Sequence, residues 1–347
     1  TGLLQQSDEF AVSDQDAFNL FNYRIKYSDP LRGISSGLSY TYEFKWIEGL
    51  LANDFYLEKD LPNNKTNLKL GLEGLYRPNS SDLNYLIYPT LWNTEQWNNF
   101  TKVELTHVYD YGKSNGVIKS ELRSPFFMSD YSYGFINVDV VNNNRFSVFN
   151  WRTRVFGQFG QGDNWAPESQ LYAAGASPEQ MMENPLTRSM GYAPEGVYSI
   201  SNITGQYQAG GGLNLRGYNN YLMPQTNSDS LLRLGYVGHT GVAFNTELEF
   251  DDVLPLARGL KRFVELKTYL FADAGIININ RTAEDLEFSN VRIDAGAGAT
   301  LEIKRWGSFS DFKPVKIRFD MPLFLNRPPA GDEYLAFRWL IGFERAF

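Results

Sequence analysis

The chain has 347 residues, 32 Lys and Arg against 40 Asp and Glu, and no cysteine. The missing cysteines exclude a disulfide framework, a zinc–thiolate centre, an iron–sulfur cluster and a thiol nucleophile. Two histidines make a histidine-built metal centre untenable, and the acidic balance argues against nucleic acid as a partner. Aromatics are abundant (25 Phe, 21 Tyr, 7 Trp) although mean hydropathy is −0.36. No apolar run reaches the roughly 18 residues of a membrane helix, but strands that alternate polar and apolar residues would average out as polar.

Period two dominates in chain order. Gly37 to Trp46 sets Leu38, Tyr40, Tyr42, Phe44 and Trp46 against Ser39, Thr41, Glu43 and Lys45. Gly241 to Phe250 and Val264 to Gly275 follow the same scheme. In Arg292 to Lys304 the odd positions are Ile293, Ala295, Ala297, Ala299, Leu301 and Ile303, and the even ones are polar or glycine. Lys316 to Leu323 repeats it, and Leu335 to Phe347 does so with Arg345 as an interruption. Such alternation gives each strand one apolar and one polar face. Thirteen strands are predicted, at 16–28, 34–46, 66–77, 83–92, 100–111, 116–123, 132–141, 146–159, 241–250, 264–276, 291–304, 315–323 and 335–347. One short helix is predicted at Pro178 to Thr187.

The connections carry further information. Those at 29–33, 78–82, 112–115 and 142–145 are short and rich in turn residues, whereas 47–65, 93–99, 124–131 and 160–240 are longer. This is the pattern of transmembrane barrels with tight turns on one side and long loops on the other. A soluble sandwich, burying its apolar face under a second sheet, remains the alternative. The fold class expected is all-β, an antiparallel transmembrane barrel of sixteen strands, thirteen of them readable. An odd count suggests either a strand within 197–208 or strands upstream of Thr1, and the second is preferred, with residues 1–15 as the end of an outer loop. On this reading 1–347 is one barrel domain, 160–240 is a long outer loop folding into the lumen, and any upstream soluble domain lies outside the chain.

Gly210-Gly211-Gly212-Leu213-Asn214-Leu215-Arg216-Gly217-Tyr218 contains an aliphatic-R-G-aromatic motif, and Phe271-Ala272-Asp273-Ala274-Gly275 reads F-x-D-x-G. Together with Leu248-Glu249-Phe250, Arg318-Phe319-Asp320-Met321-Pro322-Leu323 and the terminal Phe347, these resemble the BamA-type outer-membrane assembly and translocation superfamily. The resemblance covers the final 190 residues. It implies a loop lock of Arg216, Gly217 and Tyr218 inside the lumen, with Asp273 and Glu249 as acidic partners. Parity agrees: Glu249 is in phase with Asn245 and Glu247, and Asp273 with Glu265 and Lys267, so both acids fall on the polar face. Phe343 and Phe347 would form the terminal strand signal. Arg345 stands where an aromatic is expected, and Leu340 where a polar residue is usual. Leu171 to Pro194 has no assignable counterpart and reads as a self-packed outer loop, with an external cap or partner surface as the other option.

The resemblance further implies a mechanical role, insertion or translocation of polypeptides at the outer membrane of a Gram-negative bacterium, without covalent chemistry or a cofactor. Outer-membrane lipids and lipopolysaccharide, client polypeptides and accessory lipoproteins or periplasmic domains are the implied partners. Two alternatives are a barrel anchoring an upstream lipase-like or peptidase-like domain, and a diffusion porin. Gly33-Ile34-Ser35-Ser36-Gly37 has the form G-x-S-x-G, but it opens an alternating strand and lacks the strand–turn–helix of a nucleophile elbow. His107 shares the phase of Val103 and Leu105 and reads as an apolar-side residue, and His239 falls in a turn. Asp54 to Asp60 and Asp251-Asp252 read as solvated loop charge rather than cation sites. The aromatic excess is expected on a lipid-facing wall and its girdles.

Overall fold

The computed structural model describes residues 4–7, 20–28, 38–47, 50–62, 65–78, 92–183, 206–219, 221–226, 230–251, 263–280, 286–304 and 315–347. The first nine strands are β1 (Leu4–Ser7), β2 (Leu20–Ser28), β3 (Leu38–Ile47), β4 (Leu50–Asp60), β5 (Thr66–Tyr76), β6 (Trp97–Tyr111), β7 (Ser114–Pro125), β8 (Ser132–Arg145) and β9 (Asn150–Asn164). The long connection then holds β10 (Leu171–Tyr172), helix α1 (Pro178–Glu183), β11 (Pro224–Thr226), β12 (Leu232–Leu234) and β13 (Val237–Gly238). The chain continues with β14 (Gly241–Asp251), β15 (Val264–Ile277), β16 (Arg292–Ile303), β17 (Val315–Leu325) and β18 (Leu340–Phe343). Fourteen strands share one sheet in the order β1 to β9, then β14 to β18. Apart from the long connection, neighbours in the sheet are neighbours in sequence, the meander that period-two segments joined by turns produce. Among the described residues no helix is long and apolar enough to cross a membrane, which leaves strands untouched as spanning elements.

Five expectations change. Residues 50–60 form β4, not a loop: β3 and β4 pair from Leu38↔Lys59 to Ile47↔Leu50. The alternation there is blurred by Asn53 on the apolar face, where the Tyr42 hydroxyl donates to its side chain at 3.0 Å. Conversely, no strand stands between β5 and β6, which pair directly from Thr66↔His107 to Tyr76↔Trp97. The strand expected at 83–92 therefore has no place in that ladder, and residues 79–91 lie outside the described residues. The turn expected at 142–145 is strand, because side-chain amides pair laterally: Asn143 donates to Asn115 at 3.0 Å, and Tyr111 donates to Asn144 at 2.7 Å. The reversal falls instead at 146–149, closed by Phe146 N–H to the Phe149 carbonyl at 3.0 Å. The last strand is only Leu340–Phe343, since Glu344 takes φ 62° and turns the chain out of the ladder. Finally, Leu4–Ser7 is a strand on the edge of β2 rather than loop. The G-x-S-x-G stretch at 33–37, residues 197–205 and 184–194, and Asp252 lie outside the described residues.

The chain folds as two compact units. One comprises residues 1–109, 117–138 and 159–169. Its strands carry exposed Phe55, Leu68, Leu70 and Leu72 on one face. On the other, Lys69 lies 3.7 Å from Asp54 and 3.4 Å from Glu104, and Lys102 lies 3.2 Å from Glu104 and 3.7 Å from Glu73. The Asp54 to Asp60 segment belongs to this lattice: Asn67 donates to Glu58 and Asp60, each at 2.9 Å. Arg123 is buried against the rings of Phe100 (3.8 Å) and Phe135 (4.9 Å), so part of the aromatic content serves the polar face instead of the apolar wall.

The second unit comprises residues 110–116, 139–158 and 170–347. Val242, Phe244, Leu270, Phe319 and Leu323 are exposed on its apolar face. The opposite face buries Asn245, Glu247, Asp273, Asp294 and Asp320. Register sets these in rows. Arg154↔Asn245, Asn245↔Asp273 and Asp273↔Asp294 are successive partners across β9, β14, β15 and β16.

Candidate functional site

The long connection between β9 and β14 returns to the polar face of the second unit. Leu213 and Leu215 are its anchors, packed in one buried cluster with Phe156, Leu171, Ala173, Ala243, Ile277 and Leu325. Their N–H groups donate to the carbonyls of Tyr172 and Ala173, each at 3.0 Å. Gly212 makes the approach possible: its φ is +52°, and a Cβ there would run into the Tyr172 carbonyl. The Leu171–Glu183 stretch is thus part of a self-packed loop, with α1 ending at Glu183.

The anchors deliver Arg216 into a single 3₁₀ turn, Arg216–Tyr218, whose three residues are all buried. The Arg216 guanidinium meets Asp273 in a fork, Nε to Oδ2 at 2.7 Å and Nη2 to Oδ1 at 3.0 Å. Its third nitrogen donates to Glu247 at 2.7 Å, and Asp320 stands 3.7 Å away. The ring of Phe271 lies 3.8 Å below the guanidinium plane. Burial alone would push this arginine's pKa down. The Asp273 and Glu247 charges outweigh it and hold the pKa well above the ordinary value. A fully desolvated guanidinium needs this saturation, since an unpaired buried charge costs several kcal/mol. Asn245 completes the cradle: its amide donates to Asp273 at 3.0 Å and to the carbonyls of Leu213 and Asn214 at 3.2 Å, while Arg154 donates to its oxygen at 3.2 Å.

Gly217 and Tyr218 fix the far side of the turn. A Cβ on Gly217 would stand 2.8 Å from the Asp294 Cβ and strike the Leu325 side chain. The Tyr218 hydroxyl donates to Asn326 at 2.8 Å and accepts from the Arg327 N–H at 3.1 Å. Burial of the ring and hydroxyl pushes the phenol up to about 12.

The same connection also holds the last strand. Ile341 presents both its backbone groups away from β17. Its N–H donates to the Gln206 carbonyl at 2.7 Å, and its carbonyl accepts from the Gln208 N–H at 2.9 Å. Tyr207 and Ile341 therefore form a parallel bridge on the outer edge of β18. Gln208 adds side-chain bonds: Arg318 of β17 donates to its Oε1 at 2.7 Å, and its amide reaches the Ala174 carbonyl at 2.6 Å. Arg318 in turn lies 2.8 Å from Asp320. One loop thus both inserts Arg216 and covers the edge of β18 that has no strand partner among the described residues, where backbone groups would otherwise be unpaired.

Of the residues singled out in the sequence, Arg216, Gly217, Tyr218 and Asp273 come together in this turn. Glu249, expected beside Arg216, does not. It pairs with Arg345 and lies 3.7 Å from Lys267, one inward position nearer the strand end than Glu247. Phe343 packs edge-on against Tyr207 at 5.8 Å. Phe347 leaves the apolar face altogether, its ring 5.2 Å from the Arg152 guanidinium and 6.0 Å from that of Arg216. His107 shares a 2.7 Å hydrogen bond with Thr66 through its ring, and the backbone N–H of His239 donates to the Asn278 side chain at 2.6 Å. Among the described residues no group of acids and histidines could hold a metal. The sequence reading missed Glu247, Asn245, Gln208 and Asn326. Parity placed the first two on the right face, but nothing in the sequence singles out Gln208 or Asn326.

No protein-family model and no curated protein matches the chain. Among solved structures it is similar to BamA from Haemophilus ducreyi lacking POTRA domains 1–3, at TM-score 0.47 and 13% identity over 93% of this chain and 62% of that one. It is similar to CdiB from Escherichia coli at the same TM-score and identity, over 93% of this chain and 59% of that one. The chain spans about three fifths of the length of these two.

Proposed function

We propose that this chain is the greater part of a BamA-like outer-membrane barrel of a Gram-negative bacterium, which inserts or translocates polypeptides mechanically. The observation that carries the reading is the double engagement of one loop. Arg216 is pinned to Asp273 and Glu247, and ten residues earlier Gln206 and Gln208 hydrogen-bond the free edge of β18. A strand edge held by a short parallel bridge can be released and offered to an extended chain, which needs only backbone donors and acceptors to add to it. The apolar face of each unit supplies the lipid contact, and the polar face supplies the interior in which Arg216 is locked. No catalytic group is needed for this work.

The absence of cysteine from this chain leaves no competing thiol within it. Tyr207→Cys with Ile341→Cys, in the full-length protein reconstituted in liposomes, fixes the bridge on oxidation. Insertion of an unfolded outer-membrane client should stop when the pair is oxidised and return on reduction. Undiminished insertion by the fully oxidised protein would remove the edge of β18 from the mechanism.

A further inference from the structure

The second unit has a cavity at its tight-turn end. It encloses about 440 Å³ and is lined by Arg145, Arg152, Lys267 and Arg345, with Asn150 and a single carboxylate, Glu249. All belong to the ends of β8, β9, β14 and β15 and to the turn-out after β18. Four cations against one acid is a local excess of positive charge in a chain whose net charge is −8.

The one acid is already shared. Arg345 pairs with it, Lys267 stands 3.7 Å away, and the Asn150 amide donates to it at 3.4 Å. Arg152 is the group left over. Its Nε is buried and has no hydrogen-bond partner among the described residues, although the Phe347 ring, centred 5.2 Å from the guanidinium, packs against it. A buried guanidinium N–H without an acceptor is costly, and the remedy is an oxygen placed in the plane of the fork.

We propose that this cavity is a binding site for a phosphate-type oxyanion, received by Arg152 and flanked by Arg345, Lys267 and Arg145. Charge selects phosphate over a simple carboxylate: with Arg345 paired to Glu249 and Lys267 standing 3.4 Å from Glu265, two positive charges remain, and one negative charge would leave one unbalanced. A doubly charged tetrahedral anion nearly neutralises them and offers several oxygens to planar guanidinium forks. The volume admits a phosphate or pyrophosphate with its remaining water. The group can arrive as a free anion or as the headgroup of an anionic lipid, and the chemistry of the cavity is the same for both. This inference stands apart from the proposed function, since it concerns other residues and is read by binding alone.

The test is calorimetric titration of the full-length protein in neutral detergent with inorganic phosphate, pyrophosphate and acetate. A parallel arm measures binding to vesicles of phosphatidylcholine with and without phosphatidylglycerol. Saturable phosphate or pyrophosphate binding, weakened at least tenfold by Arg152→Gln and by Arg345→Gln, is the expected result. Lys69→Gln, on the polar face of the first unit, should leave it unchanged. Binding only to phosphatidylglycerol vesicles, with the same sensitivity to the two arginine variants, identifies a lipid headgroup as the source. Should Arg152→Gln fail to fold by circular dichroism, Arg345→Gln, which lies beyond the last strand, decides alone. Absence of saturable binding, equal affinity for acetate, or indifference to the arginine variants would each overturn the site.

Discussion

Asp273 and Asp294 are cross-strand partners on β15 and β16, and both side chains are buried, yet only one of them has a cation. Asp273 holds the Arg216 fork at 2.7 and 3.0 Å, whereas neither oxygen of Asp294 meets a hydrogen-bond donor in good geometry among the described residues. The row is therefore asymmetric: its first acid is structural and its second is a desolvation cost.

Replacing the two acids should give opposite results. Asp273→Asn removes the fork and leaves Arg216 under-compensated, with an expected loss of about 3 kcal/mol. Asp294→Asn keeps the shape and removes an unpaired buried carboxyl, so stability should stay within about 1 kcal/mol of the parent or rise. Thermal unfolding of the two variants in detergent compares them directly, and a larger loss from Asp294→Asn would contradict the asymmetry.

Arg216→Ala strands Asp273 and Glu247 together in a buried site and should cost about 3–5 kcal/mol of local stability. Arg216→Lys retains the charge but supplies one compact ammonium in place of a fork, so it should recover only part of that loss. Limited proteolysis read by mass spectrometry checks this: cleavage within 206–219 should rise in the order parent, Lys, Ala. Equal resistance of all three would mean that Leu213 and Leu215 hold the loop unaided.

Tyr218 sets an alkaline limit on the same loop. Its phenol is raised in the folded chain to about 12, above the ordinary value of 10.0. The protonated form is the one the fold favours, so its contribution is fully present below about pH 10 and is lost as pH rises to about 12. Tyrosinate absorbance should show the late-titrating fraction fall by one residue in Tyr218→Phe. The phenylalanine variant should also lose this part of the alkaline decline while being weaker at neutral pH, because Asn326 and the Arg327 N–H lose their partner.

Gly212→Ala tests the loop backbone. The substitution places a side chain at φ +52° against the Tyr172 carbonyl and should destabilise by about 1–2 kcal/mol or more. Gly331→Ala, at φ +87° with open space around it, should show the strain of the backbone angle without the collision. A smaller shift in unfolding temperature for Gly331→Ala than for Gly212→Ala is the expected outcome.

Most strands were legible because an alternating sequence writes both its strand and its two faces into the residue order. β4 was not, since Asn53 interrupts the apolar phase and its compensating hydrogen bond comes from Tyr42 on another strand. The stretch at 83–92 has no place between β5 and β6, which pair with each other directly. It is rich in apolar residues, but β5 already has its partners in β4 and β6. The aromatic excess expected on the apolar wall is shared with the polar face, where Phe271 and Phe100 lie under arginines.

By the resemblance its motifs carry, the sequence implied that Arg216 meets acid, and parity by itself put that acid on the inward phase of β14 and β15. It could not choose between Glu247 and Glu249, because residues two apart share a face and differ only in height along the strand. The tertiary structure decided it: Leu213 and Leu215 seat the loop at the level of Asn245 and Glu247, and Arg345 takes Glu249. The cover on β18 was equally out of reach. Backbone hydrogen bonds between Gln206, Ile341 and Gln208 leave no side-chain pattern to read, and only the folded path of the chain brings them together.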